Sequence, residues 1–247
     1  MVRIAHISDL HCGEMSHHRL DRARDAINSV SPDVIVVTGD ITHGGRRREY
    51  VVASRFFAAL RAPILGCPGN HDAPVFDPLA RIWTPFQRFR GLGLASAWDS
   101  SCGTVSVRAL NSACAVQARP DWSQGVYRRD DFATLAASFA PAARHRIIAC
   151  HHPPHAPTPA RMPIATRGRS AALSVLEGEH LFLCGHLHHS ADYLVSGFAH
   201  LRVMTAPTLA STRERGEPPG FRLITISRSV TATTWRWSGG DYAPVPP

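Results

Sequence analysis

A four-layer α-β-β-α sandwich built from two mixed sheets is the α/β fold that this 247-residue sequence predicts. Two observations lead there. Strand and helix patterns alternate through the first quarter of the chain, which implies parallel strands joined by right-handed crossovers. Several short strand patterns without intervening helices then close the chain, and helices segregated to the outer faces of two stacked sheets accommodate both patterns. With 44% hydrophobic residues the chain can bury a large core, and 19% charged residues is far below what disorder requires. Residues 1–237 read as a single domain and residues 238–247 as a C-terminal tail.

The elements follow in order. Residues 3–8 form a short apolar strand. Leu20, Ala23, Ile27 and Val30 recur at helical spacing, and Ser31-Pro32-Asp33 ends that helix. Val34-Ile35-Val36-Val37 is an unbroken β-branched run, the mark of a strand covered on both faces. A helix over residues 47–60 places Tyr50, Phe57 and Leu60 on one side, and residues 63–67 give a third strand. Residues 73–93, rich in proline, arginine and aromatics, read as a lid-like insertion with one short helix, under which Trp83, Phe86 and Phe89 pack. Further strands are expected at 104–110, 146–150 and 181–184, with helices at 130–139 and 170–176. Five prolines make 153–163 an irregular loop. Antiparallel strands are expected at 193–196, 200–204, 221–227 and 230–237.

Charge and cysteine content narrow the function. Lys+Arg is 27 against 19 Asp+Glu, a net +8 carried wholly by arginine, since the chain contains no lysine. The arginines are scattered, Arg46-Arg47-Arg48 being the densest group and most simply a solvated helix face. A surface attractive to anionic, phosphate-bearing substrates follows, whereas nucleic acid is not favoured. The six cysteines form no CxxC pair and read as reduced and structural, with Cys12 closest to the motifs below. No apolar run reaches the roughly 18–20 residues of a membrane span. The sequence also enters its first strand without an apolar leader, so a cytoplasmic protein is expected.

Five segments carry chemistry, each just after an expected strand: Asp9-Leu10-His11, Gly39-Asp40, Gly69-Asn70-His71-Asp72, His151-His152-Pro153 and Gly185-His186-Leu187-His188. Ligands of open α/β sheets gather at the carboxyl ends of strands, so these loops can converge. Carboxylates, an amide and imidazoles without a thiolate suit Mn, Fe, Zn or Co better than Ca or a structural zinc. Gly39, Gly69 and Gly185 each precede a candidate ligand at a sharp turn, where a Cβ would obstruct the backbone or a close approach.

This ordered set resembles the calcineurin-like metallophosphoesterase superfamily, with its metallo-dependent phosphatase fold. The segments His6–His11, Val36–Thr42 and His151–Pro154 look closest to class III cyclic-nucleotide phosphodiesterases and bacterial glycerophosphodiesterases. The resemblance implies two divalent ions, Mn²⁺, Fe²⁺ or Zn²⁺. Asp9, His11 and His188 would hold one and Asn70, His151 and His186 the other, with Asp40 and a water or hydroxide between them. His151 is preferred to His152 because the family uses the first histidine of that segment. His71 would protonate or stabilise the leaving oxygen, and Asp72 would orient His71 or its loop. The chemistry agrees: two dications neutralise an anionic diester and acidify a water, and a two-oxygen carboxylate can tie them together. A histidine suits proton donation near neutral pH.

The expected function is hydrolysis of a small phosphodiester, such as a cyclic nucleotide or a glycerophosphodiester. A nucleotide-sugar lipid pyrophosphatase or a phosphomonoesterase would use the same metal site. A nuclease ranks lower, for want of a dimerisation arm, and a non-catalytic scaffold ranks lower because every ligand position is filled. A homodimer stays open. Thr42-His43-Gly44-Gly45 departs from close relatives, which often carry an acid there, and His43, His155 and His189 lie near enough to the motifs to touch substrate.

Overall fold

The computed structural model describes residues 1–118, 121–157, 166–212 and 216–245. Two six-stranded sheets form its centre. The first contains β1 (Val2–Ile7), β2 (Val34–Thr38), β3 (Ile64–Cys67), β10 (Gly220–Ile226), β11 (Val230–Ser238) and β12 (Asp241–Pro244), in the order β12-β11-β10-β1-β2-β3. The second contains β4 (Ala97–Asp99), β5 (Val105–Leu110), β6 (His145–Cys150), β7 (His180–Cys184), β8 (Ala191–Val195) and β9 (Phe198–Thr205), in the order β4-β5-β6-β7-β9-β8. β1, β2 and β3 run parallel, as do β5, β6, β7 and β9. The remaining pairs are antiparallel, so both sheets are mixed.

Alternation along the strands assigns each side chain to a layer. Val34 and Val36 face the space between the sheets, with Ile4, Leu65, Val107, Ile147, Leu183, Met204 and Ile224. Ile35 and Val37 face the opposite way, onto a layer that includes Leu20 and Ile27 of α1 (His17–Ser29) and Phe56 and Phe57 of α2 (Arg47–Ala58). The β-branched run therefore serves two cores at once. On the far side, Phe132 and Leu135 of α5 (Arg129–Ala137) and Leu173 of α6 (Arg169–Leu173) cover Ile148 and Phe182. These are the four layers. Ser16 caps α1 by accepting from Arg19 N–H, supplying an acceptor that the first helical turn lacks.

Three expectations need correction. β9 pairs with β7 in parallel, not antiparallel, because β8 occupies the outer edge and acts as the return limb that a helix supplies elsewhere. Residues 241–244 are not a tail: Gly239 and Gly240, both with positive φ, turn the chain back so that β12 pairs with β11, and Tyr242 is buried. The insertion holds two short helices, α3 (Pro78–Trp83) and α4 (Gln87–Arg90). Phe86 is buried and Phe89 packs against it, but Trp83 is 71% exposed. The proline-rich loop is described only as far as Pro157; its residues 158–163 lie outside the described residues.

Phe132 is fully buried, its ring 4.8 Å from that of Tyr127 and 6.3 Å from that of Phe182. Phe132→Ala should lower unfolding free energy by about 3–5 kcal/mol in urea titration; a loss under about 1 kcal/mol would show that this layer is not tightly packed.

Candidate metal centre

The five motif loops leave β1, β2 and β3 of one sheet and β6 and β7 of the other. Parallel strands present their carboxyl ends on the same side, so two stacked sheets aim five loops at one edge. Sharp turns keep the donors there. Asp9, His11, Asp40, His186 and His188 all have left-handed backbones, with φ between 47° and 68°. L-residues rarely adopt this region, and such strain persists where surrounding contacts enforce it, commonly at functional sites. The glycines make room. A Cβ at Gly185 would lie 1.9 Å from Ser8 Oγ, and one at Gly39, where φ is +81°, would lie 2.6 Å from Gly69 N.

The expected metal donors fall into two groups, while His11 also clusters with His43 and His71 as a third candidate set. Asp9, His11, Asp40 and His188 each bring one donor atom within 4.8 Å of the others, and His151, His152 and His186 do the same. His188 Nε2 lies 3.1 Å from Asp9 Oδ1 and 3.1 Å from His11 Nε2. Asp40 Oδ2 stands between the groups, 4.0 Å from His11 Nε2 and 3.3 Å from His151 Nε2. Its Oδ1 accepts the backbone N–H of His71 at 2.8 Å. Asp40 thus turns Oδ2 toward histidines of both groups while Oδ1 ties the carboxylate to the His71 backbone.

Neighbouring groups aim each donor. Asp9 Oδ2 accepts from Ser8 Oγ (2.6 Å) and His186 N–H (3.0 Å), while its buried Oδ1 makes no hydrogen bond. His151 donates Nδ1–H to the Thr38 carbonyl (2.8 Å), which leaves Nε2, also without a hydrogen bond, as the coordinating nitrogen. Asn70 Oδ1 is likewise buried and unbonded. Buried polar atoms without partners are rare, and four of them lie on the expected ligands, counting His11 Nδ1, an arrangement that fits cations. His152 differs. Its Nδ1 meets Ser112 Oγ (2.9 Å) and its Nε2 donates to the Ser123 carbonyl (2.8 Å), so both nitrogens are committed to protein.

Protonation matches these roles at His11 and His186, whereas at His151 the Nε2 proton has to leave before that nitrogen can coordinate. Burial pushes His11 down to about 3 and His186 to about 4, leaving neutral imidazoles ready to coordinate. For His151 burial also opposes charge, but Asp40 and Asp9 prevail and raise it to about 10. Burial disfavours the ionised forms of Asp9 and Asp40, yet facing histidines, His188 for the first and His151 for the second, hold both below the ordinary carboxylate range. Burial pushes the Cys12 thiol up to about 12, and it joins neither donor group among the described residues.

His71 stands beside the first group, its ring 4.9 Å from that of His11, and its Nδ1–H donates to the His43 carbonyl at 2.6 Å. Asp72 acts on the loops rather than on the donors themselves. Its buried carboxylate accepts from Gly69 N, Ile41 N, Thr42 N and Thr42 Oγ1, clamping the Asp40 loop to the Asn70 loop. Burial and the Asp40 charge raise it to about 6. His43 reaches the rim of the site, 3.0 Å from Glu14. His155 instead bonds the Ala156 carbonyl and accepts from the distant Ser196 N–H, and His189 bonds the Leu187 carbonyl. Sequence reasoning missed Ser8, Thr38, Thr42, Ser112 and Thr208, whose hydroxyl donates to the Asp9 carbonyl. Adjacency to a motif was the one signal for Ser8, Thr38 and Thr42, and nothing in the sequence signalled Ser112 or Thr208.

Fold and site together set a cluster of candidate metal donors at the shared edge of two stacked sheets. The family model for calcineurin-like phosphoesterases matches residues 2–190, which contain every donor described above, and the chain belongs to that family. Phosphoesterases of this family use divalent metals, and the donors gathered here could hold such ions. Glycerophosphodiester phosphodiesterase GpdQ from Enterobacter lignolyticus is 39% identical over 80 residues, covering 28% of this chain and only 29% of that protein. A probable cyclic nucleotide phosphodiesterase from Vesicomyosocius okutanii is 23% identical over 234 residues, 89% of this chain and 91% of that one. Among solved structures, a dimetal phosphatase from Danio rerio superposes with a TM-score of 0.68 at 15% identity, covering 98% of both chains, a likeness of fold.

Mn²⁺ at about 100 times its dissociation constant should stabilise the folded chain by about 2.7 kcal/mol, read as a rise in Tm. Asp40→Ala should lose most of that rise. An equal rise in the variant would remove Asp40 from the site.

Proposed function

We propose that the protein is a two-metal phosphodiesterase that cleaves a small diester, a cyclic nucleotide or a glycerophosphodiester. The observation that carries this reading is Asp40 Oδ2, set between two donor groups within 4.0 Å of a histidine from each. Asp9, His11 and His188 would hold one divalent ion, Asn70, His151 and His186 the other, with Asp40 shared; Mn²⁺, Fe²⁺ and Zn²⁺ suit these nitrogen and oxygen donors. Such a pair, when bound, neutralises phosphate oxygens and acidifies a water. The long relative named as a cyclic nucleotide phosphodiesterase and the shorter glycerophosphodiester match both support a diester substrate.

The chain's own residues do the rest. The two carboxylates sit in a dry edge where their charge acts at full strength on bound cations. The His43 carbonyl takes the His71 Nδ1–H, so Nε2 is left as the nitrogen that, in the doubly protonated imidazolium, gives its own proton to the departing alkoxide and leaves the ring neutral. The clamp made by Asp72 fixes the spacing of Asp40 and His71, because both loops hang from one carboxylate. Thr42 adds a second tie, its hydroxyl donating to the His71 carbonyl at 3.0 Å.

Purified chain supplied with Mn²⁺ should hydrolyse bis-p-nitrophenyl phosphate, and a panel of 3′,5′- and 2′,3′-cyclic nucleotides, glycerophosphodiesters and phosphomonoesters should rank diesters above monoesters. Monoesters outpacing every diester would overturn the reading. Proton donation matters most for a poor leaving group, so His71→Gln should cut kcat by about 10²–10⁴ on alkyl diesters and much less on the p-nitrophenyl ester. Equal losses on both would deny His71 the acid role.

A further inference from the structure

The insertion beside the metal centre turns an apolar face to solvent. Val75, Phe76, Leu79, Ile82 and Trp83 are all exposed, Phe76 by 66% and Trp83 by 71%. Leu79, Ile82 and Trp83 follow at i, i+3 and i+4 and so share one side of α3, whose side chains are nowhere buried. This is not a loose segment. Asp77 caps α3 by accepting from Ala80 N–H, and Arg81 ties it to the Ala115, Ala73 and Pro74 carbonyls. Val75 N–H donates to the Gly44 carbonyl, next to His43, so the face abuts the rim of the metal centre.

Charge distinguishes the occupants. Residues 73–93 carry Arg81, Arg88 and Arg90 against one acid, Asp77, which Arg88 neutralises at 3.2 Å. Arg46 adds a further cation, its guanidinium 4.0 Å above the Phe76 ring. Two copies meeting on this face would set two net-cationic patches against each other, whereas an anionic bilayer meets both the apolar face and its arginines. An exposed tryptophan among aliphatic side chains bordered by arginine is the composition of a segment that rests in a membrane interface. No helix among the described residues is long and apolar enough to cross a membrane, so such contact would be peripheral.

We infer that the α3 face is a docking surface for an anionic lipid membrane, with Phe76, Leu79, Ile82 and Trp83 entering the interface and Arg46 and Arg90 meeting headgroup phosphates. The contact goes beyond the proposed phosphodiesterase activity and does not depend on which diester is cleaved. It sets the mouth of the metal centre close to the lipid surface.

Co-sedimentation of the full chain with vesicles tests this. The chain should bind vesicles of equal parts phosphatidylglycerol and phosphatidylcholine, bind pure phosphatidylcholine weakly, and lose affinity as salt rises. The double substitution Leu79→Ser with Trp83→Ser should weaken binding by about 30-fold or more, with hydrolysis of soluble bis-p-nitrophenyl phosphate unchanged as the check on folding. Arg90→Glu should weaken binding and flatten its salt dependence. Three results would overturn the inference: no binding to the anionic vesicles, undiminished binding by the double variant, or a dimer in sedimentation velocity that the same double substitution dissolves, which would give the face to a second copy.

Discussion

Asp9 and Asp40 are buried carboxylates at the edge where two sheets meet, and the surrounding structure answers the cost of keeping them ionised there. Three histidines, His11, His151 and His188, crowd their free oxygens, while their other oxygens are taken by Ser8 Oγ and the backbone N–H groups of His186 and His71. Like charges this close, away from water, call for cations. The arrangement stores affinity for divalent ions in the folded protein, since only the fold holds the carboxylates together against their repulsion.

The sandwich supplies that hold from both sides. Its inter-sheet core fixes where β1, β2, β3, β6 and β7 end, and the two helical layers press each sheet from outside. Left-handed backbone at five donors would be costly in a free loop, but here hydrogen bonds between neighbouring loops enforce it: Asp9 N–H to the Gly39 carbonyl, His11 N–H to the Asp40 carbonyl and Gly185 N–H to the His151 carbonyl. Asp72 completes the lattice by clamping two of these loops with a single carboxylate. Rigidity at the centre contrasts with the apolar face of α3, where exposed side chains gain nothing from the fold that carries them.

Much of this was legible in residues alone. Alternation of β-branched and helical patterns located β1, β2, β3, α1 and α2, because burial on two faces and burial on one leave different periods. The donors were legible because metal chemistry restricts residue type and strand ends restrict position, so Asp9, His11, Asp40, Asn70, His151, His186 and His188 stood out together. Asp72 was harder, since a carboxylate that accepts four hydrogen bonds and one that assists catalysis look alike in a string of letters. Trp83 was misjudged for a related reason: an aromatic is ordinarily buried, and nothing local says that its helix has no partner.

The sequence by itself determined which strand ends bear donors and what kind of ion they suit, as those depend on side-chain chemistry and local hydrophobic period. Only the tertiary structure decided that Asp40 turns Oδ2 toward histidines of both groups, that His152 spends both nitrogens on Ser112 and Ser123, that β9 runs with β7, and that residues 241–244 close a sheet. Each of these depends on groups distant in the chain competing for the same hydrogen bond or sheet edge. That competition is settled by packing in three dimensions, where sequence neighbours have no special claim.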